Sequence, residues 1–467
     1  MARSNVAYDT KEIWQKDKDH FIHPWTNFAT FNDTGSEVIA AGDGAYIYDS
    51  EGSKYLDGIG GLWCVNIGYG RAEMAEAIAE QVRRLPYFSP FGHLTNPPAA
   101  LLADKLAELA PKHINHVFYS NSGSVANDTA VRIVHFYFNQ IGKPKKKLII
   151  SRVDAYHGMT YLSAALTGVA FDKIGFDTAE SVVRHVSAPY TYRRPAGMTP
   201  EQFCDHLVKE FETKVLELGP DNCAAFIAEP IMGAGGVLVA PKGYHRRMKE
   251  VCQKYGMLYI SDEVVTGFGR LGHFFASEPV FDVTPDIITS AKGISSGYLP
   301  LGATLISDQI YDALKTPQAK GALFTIGYTY SGHPVVCAAA LKNIEIMERE
   351  DIPGHVRKVG PYFEQQLATL LDLPLVGDVR GKGFMMCIEN VANKQTKELL
   401  PPEADVGGRI ARHCQERGLI VRPLGHLNIM SPPLILTKEQ IDFFVGTLRE
   451  AIKLTQDDLV REKLWKG

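Results

Sequence analysis

An α/β fold, with a large domain on a mostly parallel sheet and a smaller α+β domain, is predicted by three observations. Short apolar runs alternate with amphipathic helical patterns through the middle of the 467-residue chain. Those runs are apolar throughout rather than alternating, as strands covered on both faces are. The two ends differ: an alternating segment with turn residues near the start, and a mixture of helices and hairpin-like stretches after about residue 335. A chain of this length exceeds one small core, so two or three structural units are expected.

Taken in order, residues 36–57 alternate around a Glu-Gly turn and are expected to form a small antiparallel sheet. Val117–Ser120 reads as a strand, followed by a helix opening near Ser122 with Val125, Thr129 and Ile133 at four-residue steps. Lys147–Ser151 and Ala224–Ala228 are further strands. A helix over Gly243–Tyr255 puts Tyr244, Met248, Val251, Cys252 and Tyr255 on one face. Met257–Ser261 and Asp286–Ser290 are two more strands. Beyond residue 335 come a long helix, a strand around Gly383–Glu389, a helix near Gly407–Arg417, a hairpin over Leu419–Met430 and a last helix from Lys438. The expected division is residues 1–70 as an N-terminal segment of the small domain, 71–334 as the large domain and 335–467 as the C-terminal small domain.

The formal charge of −4, from 49 basic and 53 acidic residues, gives no reason to expect nucleic acid or an anionic membrane as partner. The one basic run, Lys143–Lys147, flanks a strand and is expected to be a solvated edge. The seven cysteines are scattered, odd in number and partly inside apolar runs, the usage of free thiols in a reducing compartment. The first residues carry charges and no signal-peptide core, and no stretch of 18 apolar residues exists. A cytoplasmic protein with no metal site is the expectation.

Sheets of this kind bind ligands outside the carboxyl ends of their strands. Glu229, Asp262 and Lys292 each stand at that end of an apolar run, as does the loop leading to Ser122. A strand-end lysine can form a Schiff base, and a neighbouring carboxylate can hold a pyridinium nitrogen protonated. These are the two things pyridoxal phosphate (PLP) needs from a protein. Singly, Lys292 reads as a surface charge and the Asp262–Glu263 pair as loop or cap residues. Burial would lower the Lys292 pKa toward proton transfer, and an opposite charge would hold Asp262 ionised.

Asn121–Ser124 lies between a strand and a helix, where the backbone of Ser122, Gly123 and Ser124 can seat a phosphate. An ordinary serine N-cap with a flexible glycine accounts for the same residues equally well. Tyr156, before His157 and Gly158, can lay its ring on a cofactor face or fill a core; Val264 can pack the opposite face. Tyr328 and Thr329 offer hydroxyls for phosphate, or belong to the cap region before the next helix. Arg422, emerging from an apolar run, suits a carboxylate ligand or a structural ion pair with Glu229. Trp63, Phe88 and Phe91 are large apolar groups on loops, placed to line a pocket or an interface.

With these residues placed, the chain resembles the class III (ornithine/ω-amino acid type) PLP-dependent aminotransferases of fold type I, over nearly its whole length. The motifs are Asp57-x-x-x-Gly61-Leu62-Trp63, Ser122-Gly123-Ser124, Tyr156-His157-Gly158 and Ala228-Glu229-Pro230 with Gly233-Ala234-Gly235-Gly236. Asp262-Glu263-Val264-x-x-Gly267-Phe268-Gly269-Arg270, Ala291-Lys292-Gly293, Thr329-x-Ser331-Gly332-His333-Pro334 and Val379-Arg380-Gly381-x-Gly383 follow in the family's order. Gly-Leu-Trp-Cys, Met-Gly-Ala-Gly-Gly and the arginine of Arg-Pro-Leu-Gly resemble the ω-amine:pyruvate branch most.

The resemblance implies a seven-stranded large sheet and a homodimer, or a dimer of dimers, with shared active sites. Thr329 would reach the phosphate of the partner's cofactor, with Tyr328 alongside. Arg422 would bind the carboxylate of pyruvate and swing aside for substrates lacking one. Trp63, Phe91 and Tyr156 would wall the substrate pocket, and Ala234 would keep part of it small. Two positions depart from the pattern. Val125 stands where the family usually has glutamate, although the diaminopelargonate branch also carries valine there. Gly92 stands where close relatives often have a second phenylalanine, which would widen the pocket.

The expected reaction moves an amino group from an ω-amine or ω-amino acid, of putrescine, β-alanine, taurine or aryl-alkyl amine type, to pyruvate. A PLP-dependent lyase, decarboxylase or aminomutase on the same fold is the alternative, and a nucleotide-binding or scaffolding α/β protein a third reading.

Overall fold

The computed structural model describes residues 8–318 and 321–467. Most of the charged N-terminal stretch, where no signal-peptide core is expected, lies outside the described residues. Ile114–Ser120 (β1), Leu148–Arg152 (β2), Val183–Val186 (β3), Cys223–Ala228 (β4), Leu258–Asp262 (β5), Ile287–Ser290 (β6) and Gly302–Ser307 (β7) form one seven-stranded sheet. Their spatial order is β1-β7-β6-β5-β4-β2-β3. β7 runs antiparallel to both its neighbours and every other pair is parallel, so β1 to β6 all end at one edge.

The apolar runs explain this sheet. Every residue of β4 and of β5 is buried, because helices cover both faces. On one side the helix Gly123–Gln140 packs Ala130, Val131, Ile133 and Val134 against Ile149, Ile227 and Ile260. On the other, Phe203, Leu207 and Phe211, with Met248 and Val251, meet Ile150, Phe226 and Tyr259. Burying each large apolar side chain contributes about 1.5–3 kcal/mol.

The N-terminal sheet joins Ile39–Asp43, Tyr46–Asp49 and Lys54–Asp57 antiparallel, and Leu419–Ile420 adds to it in parallel with Leu419 opposite Leu56. A second four-stranded sheet runs in the order Val376–Lys382, Met385–Asn390, Leu427–Met430, Arg422–Leu424. The segment read as one hairpin over Leu419–Met430 therefore serves two sheets. The long helix after residue 335 is two helices, Pro334–Arg349 and Ile352–Ala368. They break at Asp351, whose φ of +46 no helix accommodates.

One expectation on the basic run is corrected. Lys146 is buried, and its Nζ donates to the carbonyls of Pro220, Cys223 and Tyr255 at 2.7, 2.9 and 3.0 Å. Three carbonyls converge on the ammonium group and satisfy all three of its donors, which offsets part of the cost of burying it. Among the described residues no helix is long and apolar enough to cross a membrane, and no group of three or more His, Cys, Asp or Glu side chains could hold a metal ion.

Candidate active site

A cavity of about 800 Å³ opens at the carboxyl edge of the seven-stranded sheet. Lys292, Asp262, Ser122, Gly123, Ser124, Tyr156, His157, Glu229, Val264, Trp63, Ala234 and Arg422 all line it. Phe88, Phe91, Tyr328 and Thr329 do not. Parallel pairing causes the convergence: Ser261 of β5 sits opposite Ala228 of β4, and Asp262 opposite Thr289 of β6. The residues that follow each strand thus emerge side by side.

Asp262 is buried and fully engaged. Its Oδ2 accepts from His157 Nδ1 at 2.7 Å and from Asn127 Nδ2 at 2.8 Å, and its Oδ1 from the Val264 amide at 3.1 Å. Asn127 also donates to the His157 carbonyl at 2.7 Å and accepts from the Thr289 hydroxyl at 2.7 Å. The carboxylate is held from three directions, and charge-assisted bonds of this kind are the strong ones. Glu263, its sequence neighbour, points elsewhere. It accepts from the Ala276 and Ser277 amides and the Thr266 hydroxyl, a purely structural use.

Lys292 begins a short turn, Lys292–Ile294, with φ of +48, a conformation costing a non-glycine residue on the order of 1–3 kcal/mol. Buried Asn343 holds the turn, donating to the Gly293 and Ile294 carbonyls at 2.9 and 3.0 Å. Gly293 is obligatory: a Cβ there would stand 2.3 Å from Asn66 Nδ2. Burial pushes the Lys292 amine below the ordinary lysine range, and the negative charges of Asp262 and Glu229 offset part of that.

Ser122 caps the helix Gly123–Gln140, its hydroxyl accepting from the Val125 amide at 3.3 Å, while the loop also faces the cavity. The serine N-cap expected from the sequence is present. The Ser124 hydroxyl accepts from the Met159 amide at 3.2 Å, tying the two loops together. A Cβ on Gly123 would come 3.0 Å from both methyls of Val264, so only glycine brings the helix start this close to β5.

Glu229 accepts from the Tyr156 amide at 3.0 Å and the Gly233 amide at 2.7 Å, and burial raises its pKa. It does not pair with Arg422, correcting the ion pair expected from sequence, because both its oxygens are already taken by backbone. Arg422 has no carboxylate within 4.0 Å among the described residues. Burial lowers its pKa, and Tyr156 and Asp172 are the groups that counter this. Trp63, buried with φ of +64, is held by the loop that Asp57 organises through the Ile59 and Gly61 amides at 2.9 and 2.7 Å.

Of the four residues outside the cavity, Phe91, Tyr328 and Thr329 meet along one segment. Tyr87 donates to the Thr329 carbonyl at 2.7 Å, Tyr328 and Thr129 share a hydroxyl contact at 3.0 Å, and the Phe91 ring packs on Gly327. Phe88 and Phe91 are half exposed.

Asn127, Asp172 and Trp25 escape the sequence reading. Asn127 is visible only as a polar residue on the buried stripe of its helix; for the other two, on irregular loops, no pattern exists.

The donor set fits pyridoxal phosphate. Amides at the start of an 18-residue helix suit its phosphate, buried Asp262 its ring nitrogen, and Lys292 its aldehyde.

A family model described as "Aminotransferase class-III" matches residues 31–452. Putrescine–pyruvate aminotransferase of Pseudomonas aeruginosa is 41% identical over 448 residues, covering 96% of this chain and 97% of that protein. Among solved structures, a thermostable (S)-enantioselective omega-transaminase from Thermomicrobium roseum superposes with a TM-score of 0.93 at 40% identity, covering 96% of this chain and 99% of that one. The omega transaminase of Pseudomonas jessenii in complex with PMP gives a TM-score of 0.93 at 39% identity, covering 95% and 98%.

Proposed function

The chain belongs to the class-III aminotransferases, and we propose that it carries the amino group of an ω-amine or ω-amino acid to pyruvate, giving alanine and an aldehyde or ketone. It is a PLP-dependent aminotransferase of fold type I. The observation that carries the donor and acceptor assignment is one cavity holding both Lys292 and a guanidinium, Arg422, with no carboxylate partner. The relatives named for putrescine–pyruvate and omega-transaminase activity support it.

Bound in the cavity, PLP supplies an aldehyde for the amine and a ring that takes up the electron pair left when a bond to the amine-bearing carbon breaks. Ser122, Gly123 and Ser124 would hold its phosphate, Asp262 its ring nitrogen, and Tyr156, His157, Val264 and Glu229 would surround the ring. Lys292 Nζ takes the proton from the amine-bearing carbon and returns it, a task suited to an amine whose burial favours the neutral form. Trp63 and Ala234 bound the substrate's path, and Arg422 pairs with the keto-acid carboxylate in the second half of the cycle.

The working unit is a homodimer, or a dimer of dimers, in which Thr329 and Tyr328 approach the partner's phosphate and Phe88 and Phe91 wall the partner's pocket. Support comes from the exposed apolar side chains Tyr87, Phe88, Phe91, Leu94 and Tyr330, of which Tyr87 bonds the Thr329 carbonyl and meets the Tyr330 ring. The domain division at residues 70 and 334 and a cytoplasmic location belong to the same reading. Leu419 pairing with Leu56 supports joining the N-terminal segment to the C-terminal domain. A panel of amines with pyruvate, scored by alanine formed, tests the function. Activity only with α-amino acids removes the ω-assignment, and product formed without any keto acid means a lyase, decarboxylase or aminomutase.

A further inference from the structure

Three carboxylates line the cavity: Asp262, Glu229 and Asp172. The first two have both oxygens engaged by the protein. Asp172, in the turn Ala170–Lys173, differs. The Trp25 indole donates to its Oδ1 at 3.3 Å, and among the described residues Oδ2 has no hydrogen bond and the carboxylate no cation within 4.0 Å. Trp25, about half exposed, has φ of +50 and its ring centroid 5.7 Å from that of Tyr156. Asp172 is therefore a placed carboxylate with an accepting oxygen left over, on a wall it shares with Phe171, Arg422 and Leu424. Asp172 and Arg422 each feel the other's charge, yet they do not form an ion pair.

We propose that Asp172 is the subsite for a second ammonium group on the amine donor, making α,ω-diamines the preferred donors over monoamines of equal length. This rests on the transaminase reading above and adds the donor class to it. The two opposite charges on one wall suit a cavity that must take two substrates in turn. A diamine ends in a cation and meets Asp172; a keto acid ends in an anion and meets Arg422. Each charge also discriminates against the wrong far end, since a like charge placed there is repelled. A monoamine of the same length ends in an apolar group and leaves the half-buried Asp172 without that pairing.

The test compares putrescine with butylamine, which share a four-carbon chain, as donors to pyruvate in the full-length holoenzyme. Wild type should favour putrescine in kcat/KM by about tenfold or more, the range of one hydrogen bond to a charged group. Asp172→Asn keeps an acceptor for Trp25 and should bring the ratio near one. Asp172→Lys should raise 4-aminobutyrate, whose far end is a carboxylate, relative to butylamine. A wild-type ratio at or below one overturns the proposal without any variant, as does a ratio that Asp172→Asn leaves unmoved. Alanine formed from neither amine overturns this proposal, and alanine formed from no donor of the wider amine panel overturns the transaminase reading itself.

Discussion

Removing the Asn127 side chain tests how Asp262 is held. In Asn127→Ala, Asp262 Oδ2 loses its 2.8 Å bond and keeps only His157, while the His157 carbonyl and the Thr289 hydroxyl lose bonds of 2.7 Å each. Both orphaned groups are buried, and each costs roughly 1–3 kcal/mol when left unpaired, so a stability loss of about 2–6 kcal/mol is expected. The bond to the carboxylate is charge-assisted and is worth about 1.5–3 kcal/mol, or roughly 10–150-fold in a rate that depends on it. Denaturant unfolding measures the first quantity, and single-turnover reaction of cofactor-saturated enzyme with amine measures the second. Thr289→Val, which removes only the support behind Asn127, should show a smaller loss, and the double variant should cost less than the sum. A single-turnover rate within twofold of wild type would refute the claim that Asn127 holds Asp262 for the reaction.

Other expectations follow from the same geometry. Arg422→Ala should raise KM for pyruvate at least tenfold and leave the half-reaction with a carboxylate-free amine within about threefold, because one strong bidentate pair is lost in only one half of the cycle. Equal loss in both halves, seen in separate stopped-flow measurements, would contradict that role. The proton-transfer rate should rise with pH and level off below the ordinary lysine range, since burial depresses the Lys292 pKa and the neutral amine is the active form; a solvent-corrected pH profile of the amine half-reaction checks this. Gly123→Ala should weaken cofactor retention about tenfold, measured by dialysis, with Val264→Ala restoring part of it, because the new Cβ meets the Val264 methyls at 3.0 Å.

The sheet core is readable because buried parallel strands write themselves as unbroken apolar runs, as β4 and β5 do. β3 is not: its middle residues Arg184 and His185 are only half buried at the sheet edge, so four residues of sequence carry no strand signal. The helix Ile352–Ala368 is hidden by Pro353, Gly354, Gly360 and Pro361, which its packing tolerates and its propensity opposes. Lys292 and Asp262 are legible because strand ends announce themselves. Asn127 reaches Asp262 across 135 residues of sequence, and no local pattern reports such a contact. The false pairing of Arg422 with Glu229 has the same origin: charge suggests a partner, but only the fold shows that Glu229 is already held by the Tyr156 and Gly233 amides.

Borohydride reduction of the holoenzyme, followed by peptide mass mapping, puts the chemistry of Lys292 to its plainest trial. A single phosphopyridoxyl group on Lys292, lost when the protein is first treated with excess amine donor, is the predicted result. Label on any other lysine, or none on a protein that still transaminates, would contradict a covalent role for the lysine just beyond the end of β6.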